Sequence, residues 1–487
     1  MTTYYLDSSF PILHIEKESD WDTLLSICEK YLIIRDFIKI KEYLKDDVEM
    51  VVIEKDYVDK DYRDTFYNFY SKKFAQYSSR TIRLHFFKEK FPPEDIFNLD
   101  KYNDKYIGYS IIRPTRINSI GRTIIDPCAH SKISGVLCKT NYKVHVLGAE
   151  LKIEGFPYIS QDTDVTVCAH AACWMVFRYF SERYTKYREI LPYEISQMTE
   201  DISFGRLVPS RGLTVFQVTE IFSRFGFYPI IYMRSLWPDN FERILYYYIE
   251  SGFPVVAGMD RHQHAITIMG HLLNFSRPVV SNSSEDFVEG FVVNDDNHLP
   301  YQKLLKSNSK RDGYCSIYSL EDIDSFVVPL YEKIYLTAEN IDSLSKAILD
   351  DYHLGINACS KIIRAEDILT RIYLTSSKSY KFERRTKGLP FNLEKIYAEI
   401  HMPKFIWVCE ISTIELYKEN KIIGEIIFDA TANALDRFAF LSIHYPDFLL
   451  INNRDYLEDT PDRFISYKFD SDKLIPYPLY VSNLKEV

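Results

Sequence analysis

Glycine is scarce in this chain, at 16 of 487 residues. Loops that cradle phosphate need closely spaced glycines so that backbone N–H groups can approach the anion, and neither a Walker nor a dinucleotide-binding pattern occurs. Basic charge is also short. Lys and Arg number 59 against 69 Asp and Glu, a net charge of -10, which argues against general nucleic-acid binding by the whole surface. No uncharged apolar run approaches the length of a membrane span. The opening stretch MTTYYLDSSFPILHIEKESDW lacks a basic segment followed by an apolar run, so no signal peptide is expected. Eight cysteines are scattered without paired spacings, as in a reducing compartment rather than a disulfide scaffold. The expectation is a cytoplasmic protein without a membrane segment, internal repeats or low-complexity tracts.

What the chain has instead is apolar and aromatic mass. Hydrophobic residues make up 46% and charged residues 26%, with 38 Tyr and 32 Phe, a globular composition rich enough for large cores. The length predicts two or three domains. Residues 1–150 read as an N-terminal α+β region, with helical spacing in WDTLLSICEKYL and RDTFYNFYSKKFAQY and alternation in VEMVVIEKDYV, TIRLHFF and YIGYSIIRPT. Residues 151–330 carry GLTVFQVTEIFSRFG, a helix with Thr214 as N-cap and Gly226 as stop, and PDNFERILYYYIESG, a helix ended by Gly252. The segments FYPIIYM, PVVAGM, HAITIMGHLL and EGFVVNDD of this region read as strands. Residues 331–487 form a C-terminal α+β domain or an extension of the middle sheet. Its segment SKSYKFERRTKG, residues 377–388, reads as a solvated basic loop rather than a site for an acidic partner.

The stretch DVTVCAHAACWMVFRYF, residues 164–180, carries the first chemical signal. Ala171, Ala172, Met175 and Tyr179 fall on the helix face of Cys168, so that face packs and the helix start is held rigidly. With Thr166 as N-cap, Cys168 lies in the first turn, where unpaired N–H groups and the positive dipole end favour a thiolate. Burial as a small hydrophobe is the competing reading, since free Cys is among the residues most often buried. Cys173 sits mid-helix without dipole help, and His170 points nearly opposite Cys168 and cannot serve it as a base.

A base must therefore come from elsewhere. In PVVAGMDRHQHAITIMGH a strand ends near Met259 and His264 opens the next one, with His262 as a near competitor. GFVVNDDN ends a strand with Asn294, Asp295 and Asp296. Alternation lets only one of Asn294 and Asp295 face the site and orient the imidazole. Upstream, Gln161 can supply a side-chain N–H to an oxyanion beside the backbone N–H of Cys168.

The order Gln161, Cys168 at a helix start, GFPVVAG at 252–258, His264 in HAITIMG and Asp295 in VVNDD resembles papain-like cysteine peptidases. It is nearest the bacterial group that contains the bacteriocin-leader-processing peptidases. The resemblance covers roughly residues 155–300. It implies a helix carrying the nucleophile Cys168 packed on an antiparallel sheet carrying the base His264 and its partner Asp295. Gln161 would help hold the oxyanion, no cofactor would be needed, and the substrate would be a protein or peptide. Seven positions separate Gln161 from Cys168, more than that group leads one to expect, and the interval from His264 to Asp295 is long. Its connecting segment NFSRPVVSNSSEDFVEG reads as a substrate lid or a simple insertion. No bacteriocin-transporter membrane segment flanks the region, so leader processing is not carried over. An acyltransferase or transglutaminase would use the same triad, and a peptidase-like domain retained only for binding is the non-enzymatic alternative.

Two weaker signals remain. Cys128, His130 and Cys138 in DPCAHSKISGVLC lack a fourth ligand at zinc spacing. Arg113, Arg116 and Arg122 read as braces of the N-terminal region rather than phosphate ligands.

Overall fold

A computed structural model describes all residues except 1–2, 6–9, 130–132, 204–206, 211, 307–313, 437, 454–462 and 471–472. The chain is mixed α+β, built on three antiparallel sheets. The first takes six strands in sequence order: Thr3–Tyr5, Pro11–His14, Met50–Tyr57, Thr81–Phe87, Tyr106–Ile112 and Ile120–Ile125. The strand Thr81–Phe87 is buried along its whole length rather than on alternate residues. The reason is a hairpin, Thr140–Val146 with Ala149–Gly155, whose Tyr142, Val144, Leu151 and Ile153 share a second core with Phe87, Tyr109 and Ile124. That hairpin turns through Leu147 and Gly148, both at positive φ, a conformation glycine adopts without steric cost.

The middle sheet runs in the order Ile230–Met233, Ser325–Val328, Val255–Met259, His264–Leu273, Val288–Asn294 and Gln302–Leu305. The short strand Val136–Leu137 pairs with both His264–Leu273 and the C-terminal Lys485–Glu486. The helix Cys168–Arg183 lies on this sheet, with the Thr267 hydroxyl donating to the Ala172 carbonyl at 3.3 Å. It is buried on every side from Ala169 to Phe177, not along one stripe, because Phe222, Phe225 and Phe227 pack on Phe177. Thr214 caps the helix Val215–Arg224 as its spacing predicts, and Gly226 follows at positive φ.

The third sheet orders Leu369–Ser376, Phe405–Ser412, Gly424–Asp429, Phe440–Tyr445, Phe448–Asn452 and Phe464–Lys468. The segment expected as a basic loop is instead the helix Ser377–Thr386, started by Ser376, whose side chain accepts from the Ser379 N–H. Arg384 is wholly buried in it, donating to Glu410 at 2.6 Å and Glu425 at 2.8 Å.

Contacts cross residues 150 and 330 freely. The Tyr301 hydroxyl accepts from Phe156 N–H and donates to the Ile125 carbonyl, both at 2.8 Å. Arg371 reaches Glu250 at 2.7 Å, and Glu250 also bonds His271. The segment NFSRPVVSNSSEDFVEG leaves the far end of the strand His264–Leu273, about 30 Å from His264 at strand rise. There the Asn282 carbonyl accepts from Thr370 N–H at 2.9 Å, so the segment clamps the third sheet and is no lid over Cys168. Among the described residues, no helix is long and apolar enough to cross a membrane.

Candidate functional site

A tight connection fixes the first member of the site. Strands Val255–Met259 and His264–Leu273 pair with Met259 opposite His264. They are joined by one 3₁₀ turn, Asp260–His262, and by Gln263 in the left-handed region at φ 48. His264 therefore stands at the start of an interior strand of the sheet, held by the tight turn before it. On the next strand Asn294 pairs with Thr267, and Asp295 emerges just past the strand end, beside the ring. Its Oδ1 lies 2.9 Å from His264 Nε2. The Cys168 thiol is close enough to act on the His264 imidazole. With Nε2 facing Asp295, Nδ1 is the nitrogen left for the sulfur. Cys168, His264 and Asp295, from three separate elements, thus meet at one place, with a hydrogen bond joining His264 and Asp295.

The alternatives left open by alternation fall elsewhere. Asn294 gives its amide to the Pro157 carbonyl at 3.2 Å and accepts from Tyr301 N–H at 2.9 Å. His262 pairs with Asp322 at 3.2 Å. His170 is buried, and burial pushes its pKa down to about 4, so it is neutral. Cys173 is fully buried, which pushes its thiol well up, whereas Cys168 is partly exposed.

Charge organises the site. Burial by itself would lower His264, but the hydrogen bond to Asp295, the nearby Cys168 thiol and the charges of Asp295 and Asp296 outweigh it and push the imidazole up to about 10. Burial would raise Asp295, yet its bond to and attraction by His264 hold it below the ordinary range. Asp296 goes the other way. Burial, with Asp295 beside it, raises Asp296 to about 7, although His264 opposes the shift. Its Oδ1 stands 3.8 Å from His264 Nε2, too far for a hydrogen bond. The ring of Tyr318 lies beside His264, with centroids 5.5 Å apart.

Gln161 is linked to the base without touching it. Its Nε2 donates to Asn297 Oδ1 at 2.9 Å, and Asn297 N–H donates to Asp295 Oδ1 at 3.0 Å. The Gln161 carbonyl accepts from Asn118 Nδ2 at 2.9 Å. The turn from Gln161 to Cys168 differs from expectation. Thr166 is not the N-cap. Val167 holds that position without a side-chain bond, and Thr166 Oγ1 is buried and unpartnered. The turn is organised by Asp162, whose Oδ1 accepts from the N–H groups of Asp164, Val165 and Thr166 at 3.1, 2.8 and 2.9 Å. Thr163 takes φ 64, strained for a β-branched residue. The helix that begins with Cys168 therefore keeps its first N–H groups clear of side-chain caps, as an oxyanion site requires.

Among the described residues, one group of donors is close enough to hold a metal ion: His264, Asp295 and Asp296, with ligand atoms within 4.8 Å of one another. The zinc reading at DPCAHSKISGVLC finds no such group. His130 lies outside the described residues, Cys138 is buried with its thiol pushed up to about 12, and exposed Cys128 sits 3.1 Å from Lys139 Nζ. The arginines act as braces. Arg113 binds the carbonyls of Ile120 and Ser160, and Arg122 pairs with Asp59 at 2.7 Å. Arg116 lies over the Tyr77 ring.

Asp162, Asn297 and Tyr318 escape a sequence reading because each acts through a turn or a distant loop. For Asp162 the signal was present in QDTD, since Asp commonly binds backbone N–H groups two or more residues on. Comparison with family models, curated proteins and solved structures found no match for the chain.

Proposed function

We propose that the chain is a papain-like cysteine peptidase or a close chemical relative, performing acyl transfer at Cys168. The observation that carries this reading is the meeting of Cys168, His264 and Asp295 at the start of the strand His264–Leu273, with His264 Nε2 2.9 Å from Asp295 Oδ1 and the thiol acting on the imidazole. Cys168 Sγ attacks a peptide or isopeptide carbonyl as the thiolate while His264 holds the proton. The oxyanion is met by the Cys168 N–H and the amide of Gln161, which has a second N–H beyond the one given to Asn297. His264 passes its proton to the leaving amine, and a thioester to Cys168 remains. Water, deprotonated by His264, attacks that thioester, releases the acid and restores the sulfur. Asp295 keeps the ring oriented and balances its charge throughout.

The non-enzymatic alternative predicts a Cys168 sealed beneath the flanking regions, and the partial exposure of Cys168 favours the enzyme. Transfer to an amine acceptor instead of water would use the same groups. The test is alkylation by iodoacetamide across pH, mapped by peptide mass spectrometry, for wild type, Cys168→Ala and His264→Ala. Expected is rapid modification confined to Cys168 at pH 6, where an isolated thiol is almost entirely protonated, and its loss in His264→Ala. Modification spread over several cysteines and indifferent to His264→Ala would overturn the proposal.

A further inference from the structure

Three segments from the first third of the chain meet on the Gln161 side of Cys168. The turn after Gln161 doubles back on itself. Its Asp162 and Thr163 N–H groups both donate to the Thr166 carbonyl at 3.0 Å, two residues before Cys168. Asn118 holds the Gln161 carbonyl, and Lys73 holds the Asp164 carboxylate at 2.8 Å. The helix Ile34–Leu44 joins these grips through Arg35, which donates to the Ile117 carbonyl at 2.8 Å. Arg116 in turn lies over the Tyr77 ring, 5.7 Å from its centroid. Segments 34–38, 73–77 and 116–118 therefore make one surface that borders the turn into Cys168.

That surface is apolar where water would favour polar groups. Phe74 is fully exposed, and Ile34, Ile38 and Ile117 are each at least half exposed. Ile34 and Ile38 stand four positions apart, on one helix face. Single exposed apolar residues are ordinary, but four large ones around the approach to a reactive thiol call for a partner. The charge of the surface has one sign. Arg35, Lys73 and Arg116 reach solvent. Asp36, the only acid in these segments, is 1% exposed and accepts from the Ser119 N–H at 2.6 Å. In a chain of net charge -10, a face with exposed cations and no exposed carboxylate does not follow from composition. Carboxylates complement these cations, and large aliphatic or aromatic side chains cover the apolar groups. Three cations fall short of the about four to eight that gather on a face for anionic lipid, so a polypeptide fits better than a membrane.

We propose that this face docks a segment of the protein substrate that combines Asp or Glu with large apolar side chains, next to the bond that Cys168 attacks. The inference rests on the acyl-transfer reading given above.

The test uses the full chain and three peptides of equal length, each carrying a chloroacetamide group at mid-chain. One is built of Glu and Leu, one of Lys and Leu, and one of Glu and Ser. Each rate of Cys168 modification is divided by the iodoacetamide rate of the same protein. Docking makes the attack effectively intramolecular, so the Glu–Leu peptide should exceed the other two by about tenfold, against the net charge of the chain. The advantage should disappear in the double variant Phe74→Ser, Ile117→Ser and narrow in Arg116→Glu. Equal ratios for the three peptides, or a Glu–Leu advantage untouched by these variants, overturn the docking assignment alone. A preference for the Lys–Leu peptide does the same. So does sedimentation with phosphatidylserine vesicles that the variants abolish, if the peptide ratios are equal, because the face then belongs to a membrane. Slow or scattered iodoacetamide labelling of the wild type overturns the acyl-transfer reading, and the docking assignment with it.

Discussion

Asp295 and Asp296 are neighbours in sequence with opposite chemistry, because the first hydrogen-bonds His264 and the second only stands near it. Asp295→Asn keeps the shape but removes the charge that stabilises the imidazolium, and is expected to slow Cys168 alkylation at neutral pH by at least about tenfold. Stability should carry the same signature. His264 is raised from 6.5 to about 10 in the folded chain, so its contribution is full below pH 6.5 and fades as pH climbs through about 10. Urea titrations should therefore show the gap between wild type and His264→Ala widest below pH 6.5 and closing by pH 10. Asp295, held below 3.8, adds stability above that value that is lost on acidification. Asp296, raised from 3.8 to about 7, acts in the reverse sense: it favours the fold when protonated and opposes it when ionised. Asp296→Asn imitates the protonated form and should gain stability over wild type progressively from pH 3.8 to about 7 and keep that gain at higher pH. Since the proposed chemistry runs through sulfur and imidazole, dialysis against EDTA should leave the iodoacetamide rate unchanged. A drop restored by one divalent metal would point instead to use of the His264, Asp295 and Asp296 donors.

At the scale of elements, strands with strong alternation or β-branched runs were legible from sequence: PVVAGM, HAITIMGHLL and EGFVVNDD all form the strands their pattern predicts. So was the helix capped by Thr214. The helix Ser377–Thr386 was not, because its polar composition reads as solvated and its burial depends on partners far away in sequence. Arg384 lies among Glu410 and Glu425 from two other strands, and no local pattern announces such a triad. Arg384→Ala leaves Glu425 buried without a cation and Glu410 with Arg371 alone, and should cost about 3–5 kcal/mol by chemical denaturation. Adding Glu410→Gln and Glu425→Gln to that variant should recover part of the loss. The Cys168 helix was legible in position but not in its cap. Thr166 and Asp162 are both plausible donors of a side-chain oxygen, and only the three-dimensional turn decides for Asp162. The candidate triad itself was readable because each member sits at the end of a strongly patterned element, where register leaves little freedom.

On the scale of the whole molecule, the three sheets share one continuous core that includes Trp21, Trp174 and Trp407. The C-terminal strand Lys485–Glu486 returning to Val136–Leu137, and Arg371 joined to Glu250 across the chain, tie the sheets further together, although the first and third sheets each also carry a smaller core of their own. Unfolding followed by tryptophan fluorescence and by far-UV circular dichroism should therefore give coincident transitions. Separate midpoints would show that the sheets are uncoupled.

The loops around the candidate triad are held from outside residues 155–300. Lys39 grips the Asn297 carbonyl at 2.7 Å, Asn118 the Gln161 carbonyl, and Lys73 the Asp164 carboxylate at 2.8 Å. A piece cut at residues 155 and 300 would leave these grips behind. For protein engineering, the proposed chemistry would not be portable: any graft or truncation that seeks it has to bring the first third of the chain along.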